Sequence, residues 1–202
     1  FAEIEPEPQG ELEHSNPYTL LVAVVLSAQA TDAGVNKATR RLFKLADTPE
    51  AMLALGEDVV REHIKTIGLY RNKAKNVMLL SRQLVERHGG KVPDNREALE
   101  ALPGVGRKTA NVVLNIAFGH PTMAVDTHVF RVSHRLGLSS GTTPEAVERD
   151  LVRQIPAEYA HHAHHWLILH GRYLCKARRP ECYRCPVNSL CHFEGKTQRP
   201  TP

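Results

Sequence analysis

Leu102-Pro103-Gly104-Val105-Gly106-Arg107-Lys108-Thr109 reads as a tight turn that opens a helix. Pro103 presets a turn dihedral, Gly104 and Gly106 supply backbone freedom, and the apolar spacing from Arg107 to Ala117 behind them is helical. Lys108 falls in the first turn of that helix, where unpaired amides favour a phosphate. The stretch therefore sets an amine beside an anion seat. Downstream, Ala124-Val125-Asp126-Thr127-His128 places a carboxylate ahead of another helix. Its ordinary role is an N-cap; its sharper role is to accept a proton or to stabilise a developing cation.

Working outward, Asn95 to Leu102 is a short helix, so helix, hairpin and helix follow one another. This resembles the helix-hairpin-helix motif, in which the backbone amides of Gly104, Val105 and Gly106 face a DNA phosphate without reading sequence. Asn16-Pro17 starts a helix over Tyr18 to Ala30 that is apolar nearly all round, as a buried central helix is. Further helical patterns cover Asp32 to Phe43, Pro49 to Leu55, Val59 to Ile67, Tyr70 to His88, Thr127 to Leu136, Pro144 to Ile155 and Tyr159 to Leu174. Alternation with period two never lasts, so the expected fold class is all-α. Ile67-Gly68-Leu69-Tyr70 is either a plain helix-helix turn or a wedge that enters an opened duplex.

Composition is compatible with this reading. The chain of 202 residues is 42% hydrophobic, enough for a packed core, and carries a formal charge of +4 with a pI near 9.0. The first thirteen residues hold Glu3, Glu5, Glu7, Glu11 and Glu13 and no Lys or Arg, so the remainder is more basic than the total suggests. A polyanionic partner fits that balance. The longest apolar run, Leu20 to Leu26, is far below the roughly 20 residues that span a bilayer. No secretory signal is visible, and the expected location is the bacterial cytoplasm, in association with the nucleoid.

All four cysteines fall near the end, as Cys175-x6-Cys182-x2-Cys185-x5-Cys191. Four thiolates at such short range suit tetrahedral zinc or an iron-sulfur cluster, with disulfides a third option. The x6 loop, Lys176-Ala177-Arg178-Arg179-Pro180-Glu181, would present Lys176, Arg178 and Arg179 outward toward phosphate if it were tied at both ends. His161 and His165 share a helix face, but no acidic residue nearby in sequence completes a metal site. Surface or interface histidines are expected there.

Residues Leu102 to Leu136, the cysteine spacing and Leu26-Ser27-Ala28-Gln29-Ala30-Thr31-Asp32 together resemble endonuclease III, the iron-sulfur DNA glycosylase family of the helix-hairpin-helix superfamily. The likeness runs from Tyr18 to Cys191. It implies two lobes with the active site in a cleft: a six-helix barrel over 18–122, and a discontinuous iron-sulfur domain from 1–17 and 123–202. The same resemblance implies that Lys108 is the nucleophile and Asp126 the essential carboxylate. Gln29 would fill the gap left by a flipped nucleotide and Leu69 would wedge beside the orphaned base. Gly104, Val105, Gly106 and Arg107 would hold the backbone, Asp32 and His128 would support the cleft, and Cys175, Cys182, Cys185 and Cys191 would hold a 4Fe-4S cluster.

The implied activity is excision of damaged pyrimidines from double-stranded DNA by a monomer, followed by β-elimination at the abasic site through a lysine Schiff base. A neutral amine is needed for attack, and a helix N-terminus with a flanking Arg107 disfavours a cation. Rival readings are a monofunctional mismatch glycosylase and a DNA-binding module without chemistry. The adenine-specific relatives use a glutamate from the first helix, and Tyr18 to Ala30 contains no acidic residue.

Overall fold

The computed structural model describes residues 1–199; residues 200–202, the end of the expected second domain, lie outside the described residues. Its regular elements are helical, with no strand among the described residues. They are α1 Pro17–Ser27, α2 Asp32–Leu45, α3 Pro49–Leu55, α4 Glu57–Ile64, α5 Tyr70–His88, α6 Arg96–Glu100, α7 Arg107–Phe118, α8 Thr127–Leu136, α9 Pro144–Gln154 and α10 Ala157–Tyr173. Two 3-10 turns follow, Cys182–Arg184 and Asn188–Leu190. The all-α expectation holds. The chain divides into two compact units, residues 11–119 and residues 1–10 joined by the chain from His120 onward.

The 11–119 unit is built around α1. Asn16 Oδ1 accepts from Thr19 N at 2.9 Å and Thr19 Oγ1 accepts from Asn16 N at 3.1 Å, a reciprocal cap with Pro17 at the first helical position. From Tyr18 to Leu26 every residue of α1 is buried, so the helix has no solvent face. It packs against α2, α5 and α7, and its buried Tyr18 Oη meets Ser81 Oγ of α5 at 2.6 Å. The helix stops at Ser27 rather than at Ala30. Ser27 Oγ donates back to Val24 O, Ala30 N closes a turn on Ser27 O, and Gln29 takes a left-handed φ of 54°. The apolar pattern runs on because Ala30 still packs on the core after the helix has ended.

Glu11 and Glu13 also lie in this unit, whereas the sequence placed 1–17 with the cysteines. Asn36 of α2 fixes them, donating from Nδ2 to Glu11 O at 2.8 Å and accepting from Glu13 N at 2.9 Å. Arg40 adds a bidentate pair with the Glu13 carboxylate, at 2.8 and 2.6 Å.

In the other unit α8 packs on α10. Gly171 permits the approach: a Cβ there would lie 2.8 Å from His128 Cβ and 3.1 Å from Val132 Cγ2. Met123, Val125, Val129, Val132, Val147, Leu151, Trp166 and Leu167 form its apolar core. The N-terminal arm is tied in by Trp166 Nε1, which donates to Glu5 O at 2.6 Å.

Candidate active site and cysteine cluster

In the 11–119 unit the hairpin is set by Gly104, whose φ of 80° is left-handed. A Cβ at Gly104 would also sit 2.9 Å from Asn76 Nδ2 of α5, so glycine is required twice over. Val105 is 7% exposed, with its side chain in the core and its amide donating to Leu102 O at 3.1 Å. That amide is consumed inside the turn, which corrects the expectation that all three residues face a phosphate. Gly106 is the N-cap of α7 and offers no side chain to its orphan amides. Arg107 and Lys108 follow, both exposed, and the Lys108 amine has no hydrogen-bond partner among the described residues.

Gln29 and Leu69 come together in this unit. They are the two non-glycine residues with positive φ among the described residues, at 54° and 59°. Their loops are adjacent, since a Cβ on Gly68 would lie 3.9 Å from Gln29 O. Leu69 is 60% exposed although it is a large apolar side chain, and it starts α5 without a side-chain cap. Asp32 sits half-buried in the first turn of α2, which Thr31 caps through Gly34 N.

In the other unit Asp126 caps α8. One oxygen, Oδ1, accepts from His128 N at 2.9 Å and from Val129 N at 2.8 Å, leaving Oδ2 without a hydrogen-bond partner among the described residues. The cap thus uses one oxygen of the carboxylate and leaves the other out of it. His128 Nδ1 lies 3.2 Å from Arg131 Nη2. Lys108 and Asp126 belong to different units.

Sequence reasoning missed Arg131 and Arg135, one turn apart on α8. Arg131 donates to Gly171 O at 2.8 Å and to Cys175 O at 3.1 Å. Arg135 donates to Lys176 O at 2.8 Å, to Ala177 O at 3.0 Å and to Cys175 Sγ at 3.3 Å, with Phe193 stacked on its guanidinium at 4.2 Å. The signal was available: two arginines four apart on the helix that Asp126 opens share one face. One helix therefore carries the carboxylate at its start and grips the cysteine loop along its length.

The four cysteines form no disulfide. They line one small cavity with Arg135, Leu136, His170, Pro180 and Phe193. Burial pushes the Cys185 thiol up, and the other three thiols push the same way. His170 is buried 3.7 Å from Cys185 Sγ, and burial pushes its pKa well below the usual imidazole value. The basic loop is less free than expected. Lys176 is paired with Glu181, which also holds Arg184, so Arg178 and Arg179 project alone.

The histidines of α10 depart from a surface row: His164 and His165 are 4% and 7% exposed, while His161 stays in solvent. Among the described residues, no three His, Cys, Asp or Glu side chains converge as ligands of a metal ion.

A glycine hairpin opening an uncapped helix, with a free lysine in its first turn, defines a helix-hairpin-helix protein. The model of the HhH-GPD superfamily of base excision DNA repair proteins matches residues 22–157. Endonuclease III of Haemophilus influenzae is 56% identical over 97% of this chain and 93% of its own length. That of Escherichia coli K12 is 57% identical over 96% and 92%. A trapped endonuclease III-DNA covalent intermediate superposes with a TM-score of 0.88 at 50% identity, covering 94% of this chain and 90% of that one. A thermostable thymine-DNA glycosylase gives 0.85 at 26% identity, over 95% and 91%. The chain belongs to the endonuclease III family, and is a base excision repair DNA glycosylase with abasic-site lyase activity.

Proposed function

We propose that Lys108 is the nucleophile and Asp126 the carboxylate of this activity, acting on damaged pyrimidines in double-stranded DNA. The observation that carries the assignment is an exposed amine with no protein partner, in the first turn of a helix whose cap leaves its amides open. A damaged pyrimidine pairs and stacks poorly, so flipping it costs less than the few kcal/mol of a normal base. Asp126 Oδ2 stabilises positive charge on the sugar as the glycosidic bond breaks, or takes a proton from the amine. Lys108 Nζ bonds to C1′ as the C1′–N bond to the base breaks and the amine loses a proton; the C1′–O4′ bond then opens, O4′ takes up a proton as the hydroxyl, and a protonated imine is left. The imine acidifies C2′; removal of its proton expels the 3′ phosphate oxygen and cuts the strand. Hydrolysis then frees the lysine.

Gln29 and Leu69 serve as gap-filler and wedge, a reading supported by their adjacent strained loops and by the exposure of Leu69. Gly104, Gly106, Arg107, Arg178 and Arg179 contact the DNA backbone, with Lys176 released to do so only by breaking its pair with Glu181. Asp32 and His128 support the carboxylate and the helix starts. The protein works as a monomer in bacterial cytoplasm at the nucleoid; no helix among the described residues is long and apolar enough to cross a membrane.

Cys175, Cys182, Cys185 and Cys191 hold a 4Fe-4S cluster, which scaffolds the basic loop and can exchange one electron. Zinc, with Zn–S bonds of about 2.3 Å, draws four thiolates onto one point. Here the four thiols line one cavity, and their Cys-x6-Cys-x2-Cys-x5-Cys spacing lacks the two Cys-x2-Cys pairs that a structural zinc usually takes.

The test is borohydride trapping on a duplex with an oxidised pyrimidine or an abasic site. Lys108→Gln is expected to abolish the enzyme-DNA adduct and strand nicking while binding persists. An undiminished adduct overturns the nucleophile assignment; wild-type binding without nicking favours a DNA-binding module instead.

A further inference from the structure

Two side-chain donors reach the sulfurs of the cysteine cavity, and no step of base excision uses either. Arg135 Nη1 donates to Cys175 Sγ at 3.3 Å. His170 Nε2 lies 3.7 Å from Cys185 Sγ. Both line the cavity with all four cysteines. Neither is a loose surface group. His170 is 9% exposed, its ring meets Phe1 edge-on at 5.1 Å, and its carbonyl receives the amides of Leu174 at 3.0 Å and Cys175 at 2.7 Å. Arg135 is locked by two loop carbonyls, at 2.8 and 3.0 Å, and by the face of Phe193.

A ligating cysteine is a thiolate and has no proton to give, so the imidazole must donate from Nε2. We propose that Arg135 and His170 are N–H···S donors to the cluster thiolates of Cys175 and Cys185, and that they set its reduction potential by stabilising the more reduced state. The inference rests on the assignment of a 4Fe-4S cluster to these cysteines.

The physical argument is charge. A 4Fe-4S core of charge 2+ bound by four thiolates carries a net 2−, and one added electron makes it 3−. No proton moves and no bond breaks. Donors aimed at sulfur, and the guanidinium charge beside it, favour the more negative state and raise the potential. The donors are unequally distributed. Cys191 Sγ instead lies 3.2 Å from the carbonyl oxygen of Arg135, a contact that favours a protonated sulfur and disfavours added negative charge. The sulfurs of Cys175 and Cys185 therefore take more of the added density than that of Cys191.

The test is protein-film voltammetry on the full chain, the electrode supplying the electron, with cluster content fixed beforehand by iron analysis and absorbance near 400 nm. His170→Leu and Arg135→Met are each expected to lower the constant for one-electron reduction at least about tenfold, a fall of about 59 mV. His170→Gln, which restores an N–H, is expected to recover most of the loss. Unchanged potentials in loaded variants overturn the proposal. For a variant that fails to load, wild-type protein decides. With histidine or arginine labelled with ¹⁵N, the reduced cluster must show hyperfine coupling to both labels, and no coupling to either overturns the proposal. Absence of any cluster from wild-type protein is a different result, which refutes the cofactor assignment instead.

Discussion

Twenty-four buried residues form one apolar cluster in the 11–119 unit, against ten in the cluster of the other unit, among the described residues. The first unit is arranged as apolar periodicity directs: a helix buried on every side, amphipathic helices around it, and side-chain caps from Asn16, Thr31, Thr48 and Asn95. The second has less apolar surface to remove from water and spends side chains on polar ties. Arg131 and Arg135 hold carbonyls of the cysteine loop, which has only two single-turn 3-10 segments of its own. Such a loop buries little to offset its chain entropy, and the proposed ligation by its four cysteines would supply the balance.

The comparison breaks most visibly at the ligands. Cys185→Ala is expected to remove absorbance near 400 nm and to collapse amide-exchange protection in α8, α10 and the cysteine loop. Protection in α1, α5 and α7 should persist. A uniform loss across both units would show that the first does not stand on its own core, and unaltered protection throughout would remove ligation from the second unit's stability.

The same contrast governs how much was legible in advance. Helices of the first unit follow from periodicity and caps, and its errors lie at ends, as at Ala28 to Ala30, where apolar character outlasts the helix. The hairpin and the Asp126 cap were legible because a turn and a cap are local chemistry, whereas the roles expected of Lys108 and Asp126 came from the family resemblance. Arg131 and Arg135 share a helix face that the sequence shows, but what they hold was not legible, because their partners are backbone carbonyls some forty residues away. The burial of His164 and His165 was hidden likewise: four histidines in five positions look polar, yet α10 turns two of them inward beside Trp166 and Leu167.

That burial gives the second unit a pH dependence of its own. Burial first, then repulsion from His161 and His162, pushes His165 from 6.5 down to about 4. Below pH 6.5 the unfolded chain takes up a proton that the folded ring refuses, so this contribution is complete above 6.5 and is lost as pH falls toward 4. From pH 7 to pH 4.5 the loss is about 2.5 kcal/mol from this ring. Urea unfolding at the two pH values should show His165→Leu losing less stability than wild type by about that amount; equal losses would place the ring in solvent.

The smallest effect on stability belongs to the first unit, where the comparison is least kind to the idea that its shape serves packing alone. Leu69 holds φ 59° and ψ 25°, a left-handed geometry that costs an L-residue about 1 kcal/mol or more. Leu69→Gly removes that strain, forfeits little burial because the side chain is 60% exposed, and adds about 0.5–1 kcal/mol of chain entropy to the unfolded state. The terms nearly cancel, so the unfolding midpoint should move by less than about 1 kcal/mol. A wedge has no such compensation: without its side chain nothing props the orphaned base, and excision from a paired duplex should fall at least about tenfold. Cleavage of a single-stranded abasic site, which needs no base displaced, should fall less. Equal losses on the two substrates would assign Leu69 to the chemistry, and no loss on either would return it to the ordinary turn that its sequence also allows.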